Sequence, residues 1–127
     1  MKFLKNLLIF SIFGLTYCLI EIVWRGYTHP SMLIVGGICG LIIGLLNEKN
    51  KKINVLQQMI IGMVIVTILE FISGCILNLY LGLNVWDYSN IPYNFMGQIC
   101  PQFSIIWFIL SYIVIRVDDL LRDIIDN

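Results

Sequence analysis

The chain has 127 residues and no net charge, and 59% of its residues are hydrophobic while only 13% are charged. A soluble domain carries about a quarter charged residues. This composition, together with a mean hydropathy of +0.89, indicates an integral membrane protein. The neutral balance gives no electrostatic basis for binding nucleic acid. Four membrane spans of roughly 20 residues each would leave no room here for an additional nucleotide-binding domain.

Four apolar runs predict an all-α membrane protein with four transmembrane helices, at about 3–24, 31–47, 53–81 and 98–117. The first run is too long for the apolar region of a secretion signal, and no cleavage site follows it. We therefore expect it to remain as the first membrane helix. After the fourth run, apolar and charged residues share the segment 118–127 at helical spacing, which predicts a short amphipathic helix in the tail.

The lysines and arginines predict the orientation, because cytoplasmic loops are enriched in both. Basic residues flank the start of the first span, fill the loop 48–52 and follow the fourth span, whereas the segment 82–97 has none. We therefore expect a multi-pass protein of the plasma membrane with both termini in the cytoplasm. The loops 25–30 and 82–97 would then lie on the outer side.

Small residues on two of the spans predict close helix packing. Gly36, Gly40 and Gly44 recur at every fourth position of the second span, and Gly74 lies on the third. Glycines at this spacing let a neighbouring backbone approach closely in lipid. The glycine face of the second span is also a candidate surface for forming a homo-oligomer.

Polar residues on three different spans are predicted to lie at the same depth. At about 1.5 Å per residue, Glu21, Glu70 and Gln98 lie roughly 24–27 Å from the basic residue that flanks the cytoplasmic end of each span. That level is near the outer edge of a hydrocarbon core about 30 Å thick. Ionisable residues inside a membrane are costly and are usually functional or paired, so we expect a polar cluster there.

Residues on the adjoining turns and loops are expected to complete this cluster. Arg25 follows Glu21 by four residues, which is the favourable spacing for an ion pair on a helix, and Asn78 continues the face of Glu70. The same residues also fit a purely structural role as salt bridges, interhelical hydrogen bonds and an interfacial aromatic belt. The candidates for ligand binding or for a polar cluster are Glu21, Trp24, Arg25, His29, Glu70, Asn78, Trp86, Asp87, Asn94 and Gln98.

The sequence contains no recognisable catalytic motif. It has no GxxxxGK[ST] phosphate loop, no HExxH, no GxSxG and no dinucleotide fingerprint. His29 is the single histidine, which excludes a multi-histidine metal centre. The four cysteines show no CxxC spacing and are expected to act as small apolar side chains. We therefore expect no catalytic residue, no metal and no cofactor, and we predict that the protein is not an enzyme.

Two blocks of sequence in the outer half are distinctive, namely WRG at 24–26 and WDYS at 86–89. Around them, the segments 21–29, 84–94, 97–100 and 117–122 and the Glu70 face resemble a family of small bacterial membrane proteins, the ABC-transporter type IV (CmpB-like) family. The resemblance covers nearly the full chain. Pro30 departs from it, since an aromatic residue is expected after the histidine. The resemblance implies a multi-spanning protein connected with transport that depends on a separate ATPase chain.

Three functions are open from the sequence. The leading hypothesis is a transport-associated subunit, permease-like or accessory, with an outward-facing polar pocket for a small or cationic ligand. Its partner would be a separate ATPase or another membrane subunit. The second hypothesis is a non-transporting scaffold whose polar cluster only orders the bundle. The third is a membrane enzyme that acts on lipid headgroups with a carboxylate of raised pKa. The lipid bilayer is the partner that all three share.

Overall fold

The computed structural model describes residues 2–49 and 53–126, and residues 50–52 of the expected cytoplasmic loop lie outside this part. The described residues form helices and contain no β-strand. In chain order, the elements are α1 (Lys2–Arg25), α2 (Pro30–Lys49), α3 (Val55–Gly74), a π-helical segment (Cys75–Tyr80) and α4 (Pro101–Asp126). Asn54 caps the start of α3: its side-chain oxygen accepts from the backbone amide of Gln57, and its own backbone amide donates to Oε1 of Gln57.

Three of the helices are long and apolar enough to cross a membrane, namely Lys2–Arg25, Pro30–Glu48 and Val55–Tyr80. A helix suits this environment because it satisfies its own backbone hydrogen bonds where lipid offers no partner. Leucine, isoleucine and valine side chains cover the outside of these helices. The protein is therefore a membrane protein, as its composition predicted.

The last helix corrects one detail of the sequence prediction. We expected a separate amphipathic helix in the tail, but α4 continues without a break to Asp126. Its buried residues are Ser111, Ile115, Asp118 and Arg122, which follow one another at intervals of three or four. The amphipathic tail therefore belongs to α4. The buried face of this helix continues into the tail, where its buried residues are charged.

The helices pack as two hairpins, α1 against α2 and α3 against α4, and α2 also touches α3 and α4. In contrast, α1 and α4 scarcely meet. The segment between the π-helical segment and α4 folds back over one end of the bundle, where Val85 and Trp86 are buried against Met32 of α2. The result is a bundle that is closed at this end and has a gap between α1 and α4.

Glycines allow α1 and α2 to approach closely. A Cβ atom at Gly36 would lie 2.8 Å from the Cβ of Tyr17, and one at Gly40 would collide with the ring of Phe13. The glycine face is thus occupied by α1 within the protein. Self-association through this face, which the sequence suggested, would require α1 to leave it.

The other two predicted packing glycines, Gly44 and Gly74, leave room for polar side chains of neighbouring elements. A Cβ at Gly44 would collide with the carboxylate of Asp118 on α4. At the opposite end of the bundle, a Cβ at Gly74 would lie 2.5 Å from Oε1 of Gln98 and 3.0 Å from the ring of Trp86. Each glycine therefore makes room for a buried polar contact between elements.

The end of the bundle that holds the tail is fixed by a charged cluster. The side chain of Asp118 is fully buried and lies 2.9 Å from Nε of Arg122, which is also 3.4 Å from Glu48. Asn47 donates to Asp119 at 2.6 Å. Burial raises the pKa of Asp118 even though the guanidinium of Arg122 opposes the shift. The cluster joins the carboxyl end of α2 to the last turns of α4.

The glycine packing leads to a stability prediction. We expect Gly40→Ala to lower the free energy of unfolding by about 1–3 kcal/mol, the usual cost of overpacking, because the buried ring of Phe13 must move. A matched control is Ile34→Ala on the outer face of α2, where the side chain is 54% exposed. The control should stay within about 0.5 kcal/mol of wild type. Equal stabilities in a denaturant titration of the two variants in detergent would contradict the packing described.

Candidate functional site

A cavity of about 500 Å³ lies between α1, α2 and α4 and reaches α3 at Val66 and Glu70. Ligand pockets in proteins enclose roughly 300–1,000 Å³, so its size is within the range for a small molecule. Most of its lining is apolar, and the charged side chains that line it are Glu21, Arg25 and Glu70. The cavity exists because α1 and α4 diverge where the other helix pairs are packed.

Glu70 is buried at this cavity and contacts neutral partners. The hydroxyl of Tyr88 donates to Oε2 at 2.9 Å, and the indole N–H of Trp107 donates to Oε1 at 3.2 Å. Within residues 2–49 and 53–126, no ion pair involves Glu70. Burial, and then the nearby Glu70, raises the pKa of Tyr88, which keeps its hydroxyl protonated as a donor. Glu70 therefore has both oxygens fixed in position and no opposing charge.

Four aromatic rings form a connected set beside Glu70, and all four line the cavity. The rings of Tyr88 and Phe103 are stacked, with centroids 4.7 Å apart and an interplanar angle of 6°. The ring centroid of Trp107 lies 6.2 Å from that of Phe103 and 6.2 Å from that of Tyr17. Two of these rings meet Glu70 with their O–H and N–H groups, so the set forms an aromatic wall beside the carboxylate.

The second carboxylate of the cavity, Glu21, has a cationic partner. Its Oε2 lies 2.8 Å from Nη2 of Arg25, one helical turn away on α1, and Thr28 donates to its Oε1 at 2.8 Å. Arg25 also donates from Nη1 to the carbonyl of Val85 at 2.8 Å, and its guanidinium lies 4.5 Å from the ring centroid of Tyr27. The ion pair therefore closes the end of α1 and attaches it to the loop after the π-helical segment.

Asn78 and Gln98 hold that loop to the bundle. The amide of Asn78 donates to Oε1 of Gln98 at 2.8 Å, and its oxygen accepts from the backbone N–H of Val85 at 2.7 Å and of Trp86 at 3.3 Å. The indole of Trp86 donates to the carbonyl of Gln98 at 3.1 Å, and Gln98 donates to the carbonyl of Met96 at 3.0 Å. Asn78 and Gln98 use their hydrogen-bonding groups within the loop and do not line the cavity, whereas Trp86 lies in its lining.

The π-helical segment places Asn78 for this role. The amide of Leu81 donates to the carbonyl of Ile76 at 2.9 Å, five residues earlier, so the helix is wider here than an α-helix. Gly82 then adopts a φ of 67°, a conformation that favours glycine, and ends the helix. The turn brings residues 85 and 86 back over the oxygen of Asn78. Short π-helical turns are frequently found beside functional sites.

Two further candidates order the outer part of the same loop. The exposed carboxylate of Asp87 accepts from the amide of Ser89 at 2.9 Å and from its hydroxyl. Asn94 donates to the carbonyl of Ile91 at 2.8 Å and accepts from the amide of Gly97 at 2.9 Å. Both Asp87 and Asn94 therefore act within the loop, at a distance from the lining of the cavity.

The remaining candidates lie at the ends of α1 and α2. Nδ1 of His29 accepts from the amide of Ser31 at 3.1 Å, so this histidine caps the start of α2 and does not line the cavity. Trp24 does line the cavity, but 81% of its surface is exposed, which places it at the opening. The predicted cluster at one depth is thus divided. Glu21 and Glu70 share a cavity, whereas Gln98 belongs to the loop.

Sequence reasoning missed four residues of the site, namely Tyr17, Tyr88, Phe103 and Trp107, although Tyr88 lies within the distinctive WDYS block. Trp107 carried a usable signal, because a tryptophan inside a membrane span needs an acceptor for its indole N–H where lipid offers none. Glu70 is that acceptor. No comparable signal marks Tyr17 or Phe103, which resemble any other aromatic residue of an apolar run.

The loop network leads to a second stability prediction. Asn78→Leu removes the acceptor of two buried backbone N–H groups at nearly constant side-chain volume. We expect a loss of about 1–3 kcal/mol in the free energy of unfolding, the cost of an unpaired buried group, and faster proteolysis within 82–97. Asn90→Ala, at an exposed position of the same loop, is the control and should resemble wild type. A stable, protease-resistant Asn78→Leu protein would refute the role given to this residue.

Asp87 gives a prediction about pH. The hydroxyl and amide of Ser89 lower its pKa below the ordinary value of 3.8. Because the pKa is depressed, these contacts persist above that value and are lost only as the pH falls through the lower folded value. In an NMR titration, we expect the amide resonance of Ser89 to shift with a midpoint below 3.8, and Ser89→Ala to move the midpoint of Asp87 upward. A wild-type midpoint at or above the ordinary value would show that these contacts do not form.

A comparison with known protein families identifies the family of the chain. A family model described as "Putative ABC-transporter type IV" matches residues 6–126. This range contains the cavity, the four aromatic rings, both hairpins and the whole loop network. No solved structure matches the chain. Since the match covers nearly the entire sequence, the chain belongs to the ABC-transporter type IV (ABC_trans_CmpB) family.

Proposed function

We propose that this protein is a transport-associated membrane subunit, permease-like or accessory, whose cavity binds a cationic ligand at Glu70. One observation carries the proposal. Glu70 is a buried carboxylate that faces a cavity, with two neutral donors on its oxygens and no ion pair among the described residues. A carboxylate in such a place either takes up a proton or attracts a cation.

The charges around the cavity support a cation over an anion. Two carboxylates and one guanidinium line it, and the guanidinium is already paired with Glu21 at 2.8 Å. Apolar walls strengthen the attraction between Glu70 and a positive ligand because they lower the local dielectric constant. The same charges would repel an anion.

The family supports a connection with ABC transport. An ABC transporter draws its energy from ATP, and these 127 residues contain no GxxxxGK[ST] loop. In this proposal a separate ATPase chain, or another membrane subunit that recruits one, supplies the energy. The protein itself has no catalytic role.

The proposal includes a fourth membrane span and an orientation. The stretch 101–117 of α4 has Arg116 as its one charged residue and packs along α3. At 1.5 Å per residue it is roughly 26 Å long, close to the thickness of a hydrocarbon core. The basic residues near the ends of α1, α2 and α4 support a cytoplasmic position for both termini. Glu70 then lies in the outer half of the plasma membrane, below the loop 82–97, and the cavity continues from it toward the cytoplasmic side.

Some of the polar residues fit a purely structural role. The Asn78 and Gln98 contacts join the loop to the bundle and need no ligand to explain them. Glu70 is different, because its charged form would be buried without an opposing charge among the described residues. The ligand site in this proposal is therefore the surroundings of Glu70, while the loop network supports it.

The test compares carboxylate variants in a binding assay. With labelled methylammonium as the probe and purified protein in lipid discs, we expect Glu70→Gln to bind at least tenfold more weakly than wild type, a loss of about 1.4 kcal/mol or more. Glu21→Gln should lose less, because Glu21 already shares its charge with Arg25. Asp119→Asn removes an exposed carboxylate at the other end of the bundle and should bind like wild type. Wild-type binding by folded Glu70→Gln would refute the proposal.

A further inference from the structure

We infer that the ligand at Glu70 is an amphiphilic organic ammonium, whose charged head meets Glu70 and the aromatic rings and whose single alkyl tail lies in the apolar part of the cavity. This inference rests on the proposed function and specifies its ligand class. It is carried by three features of the described residues, namely the aromatic set, the apolar length of the cavity and its opening between α1 and α4.

The surroundings of Glu70 suit an organic ammonium better than a metal ion. Calcium and magnesium require about six or more oxygen ligands, whereas the hydrogen-bond partners of Glu70 are one N–H and one O–H donor, both carried by aromatic residues. Ammonium groups bind over aromatic faces within about 6 Å of the ring centroid. Tyr17, Tyr88, Phe103 and Trp107 have neighbouring centroids 4.7–6.2 Å apart. A carboxylate beside such rings is an arrangement that binds alkylated ammonium groups.

The remainder of the cavity is suited to a hydrocarbon chain. From the level of Trp107, its lining continues along α4 to Val117, which at 1.5 Å per residue is roughly 15 Å. The opposite walls in this stretch are also apolar, with Phe13 from α1 and Ile43 from α2. A small hydrophilic cation would leave most of this apolar volume unfilled. An alkyl chain attached to the ammonium head would fill it.

The cavity opens sideways between α1 and α4. Four of its lining residues are also exposed on the outer surface of the bundle, with exposed fractions of 48% for Ile20, 81% for Trp24, 40% for Ile106 and 49% for Ile113. Two belong to α1 and two to α4, the helices that scarcely touch. An amphiphile dissolved in the bilayer can therefore reach Glu70 through this opening without crossing the loop.

Charge complementarity favours this ligand over a second copy of the chain as the occupant of the gap. The outer faces of the helices are apolar, so a neighbouring copy would cover Glu70 without supplying a positive charge. A buried carboxylate that loses contact with solvent in this way is costly. An ammonium head provides the missing charge, and its tail provides the apolar contact.

The experiment uses two labelled probes on the purified full-length protein in a maltoside detergent, namely tetramethylammonium and octyltrimethylammonium. Each buried methylene strengthens binding from water by about fourfold, and micelles compete for part of this gain. We expect octyltrimethylammonium to bind wild type at least tenfold more tightly than tetramethylammonium. Glu70→Gln should weaken both probes at least tenfold. Tyr17→Leu should weaken both as well, whereas Tyr17→Phe, which keeps the ring, should bind like wild type.

A second variant separates the tail from the head. Ile113→Trp places a larger side chain at the lateral opening, at a position that is half exposed to lipid and therefore tolerant of it. We expect this variant to bind tetramethylammonium like wild type but to lose the tenfold advantage of the octyl chain. Ile106→Trp, on the same edge of the opening, serves if the first variant fails to fold, and the same result is expected.

The outcomes that overturn the inference differ from those that overturn the proposed function. Equal affinity for the two ammonium probes, with both dependent on Glu70, would refute the tail site and leave the cation site standing. Octyl sulfate binding as tightly as octyltrimethylammonium would refute the ammonium head. Crosslinking of Ile113→Cys into a dimer that octyltrimethylammonium does not prevent would assign the gap to a second copy. Absence of any Glu70-dependent cation binding would refute both proposals.

Discussion

The hydrogen bonds of Asn78 are the contacts on which the end of the bundle that carries the loop 82–97 depends. One side chain joins the widened end of the third helix to the backbone of Val85 and Trp86 and to Gln98. Those bonds return the loop over the bundle, and the returning loop brings the hydroxyl of Tyr88 to Glu70. Because Val85 and Trp86 are buried, their amides need an internal acceptor, which the side chain of Asn78 supplies.

The charged residues of the described helices differ in how they are compensated. Glu21 is paired with Arg25 at one end of the bundle, and Asp118 is paired with Arg122 at the other. Each pair lies within one helix, and its arginine also contacts another element, Val85 for Arg25 and Glu48 for Arg122. Glu70 lies between them with neutral donors only. This contrast separates the ion-paired carboxylates from Glu70, which is the residue at which we propose a ligand.

The cavity and the fold have a common origin in helix packing. Glycines draw α2 tightly against α1, while α3 and α4 form their own close pair. Because α2 packs against α1 as well as against α3 and α4, it holds α1 and α4 apart. The gap is therefore a consequence of which helices carry small residues, and the residues that border it are free to be aromatic or branched.

The sequence could predict what depends on spacing along one helix. The interval between Glu21 and Arg25 indicated an ion pair, which the structure contains at 2.8 Å, and the apolar runs indicated the membrane-spanning helices. Rotation about a helix axis was harder to predict. Gln98 has the depth of Glu70 but turns toward Asn78, because the π-helical segment and the loop set its direction. The aromatic partners of Glu70 come from a different helix and from a distant loop, so no local pattern groups them.

The most direct measurement is a crystal structure in a lipidic phase with octyltrimethylammonium that carries bromine at the end of its tail. Anomalous scattering locates the bromine independently of the protein. We expect the bromine between α1 and α4, among the apolar residues beyond Glu70, and the ammonium head beside the carboxylate and the four rings. Bromine density on the outer surface alone, with Glu70 bonded only to Tyr88 and Trp107, would contradict the assignment of this cavity to a cationic amphiphile.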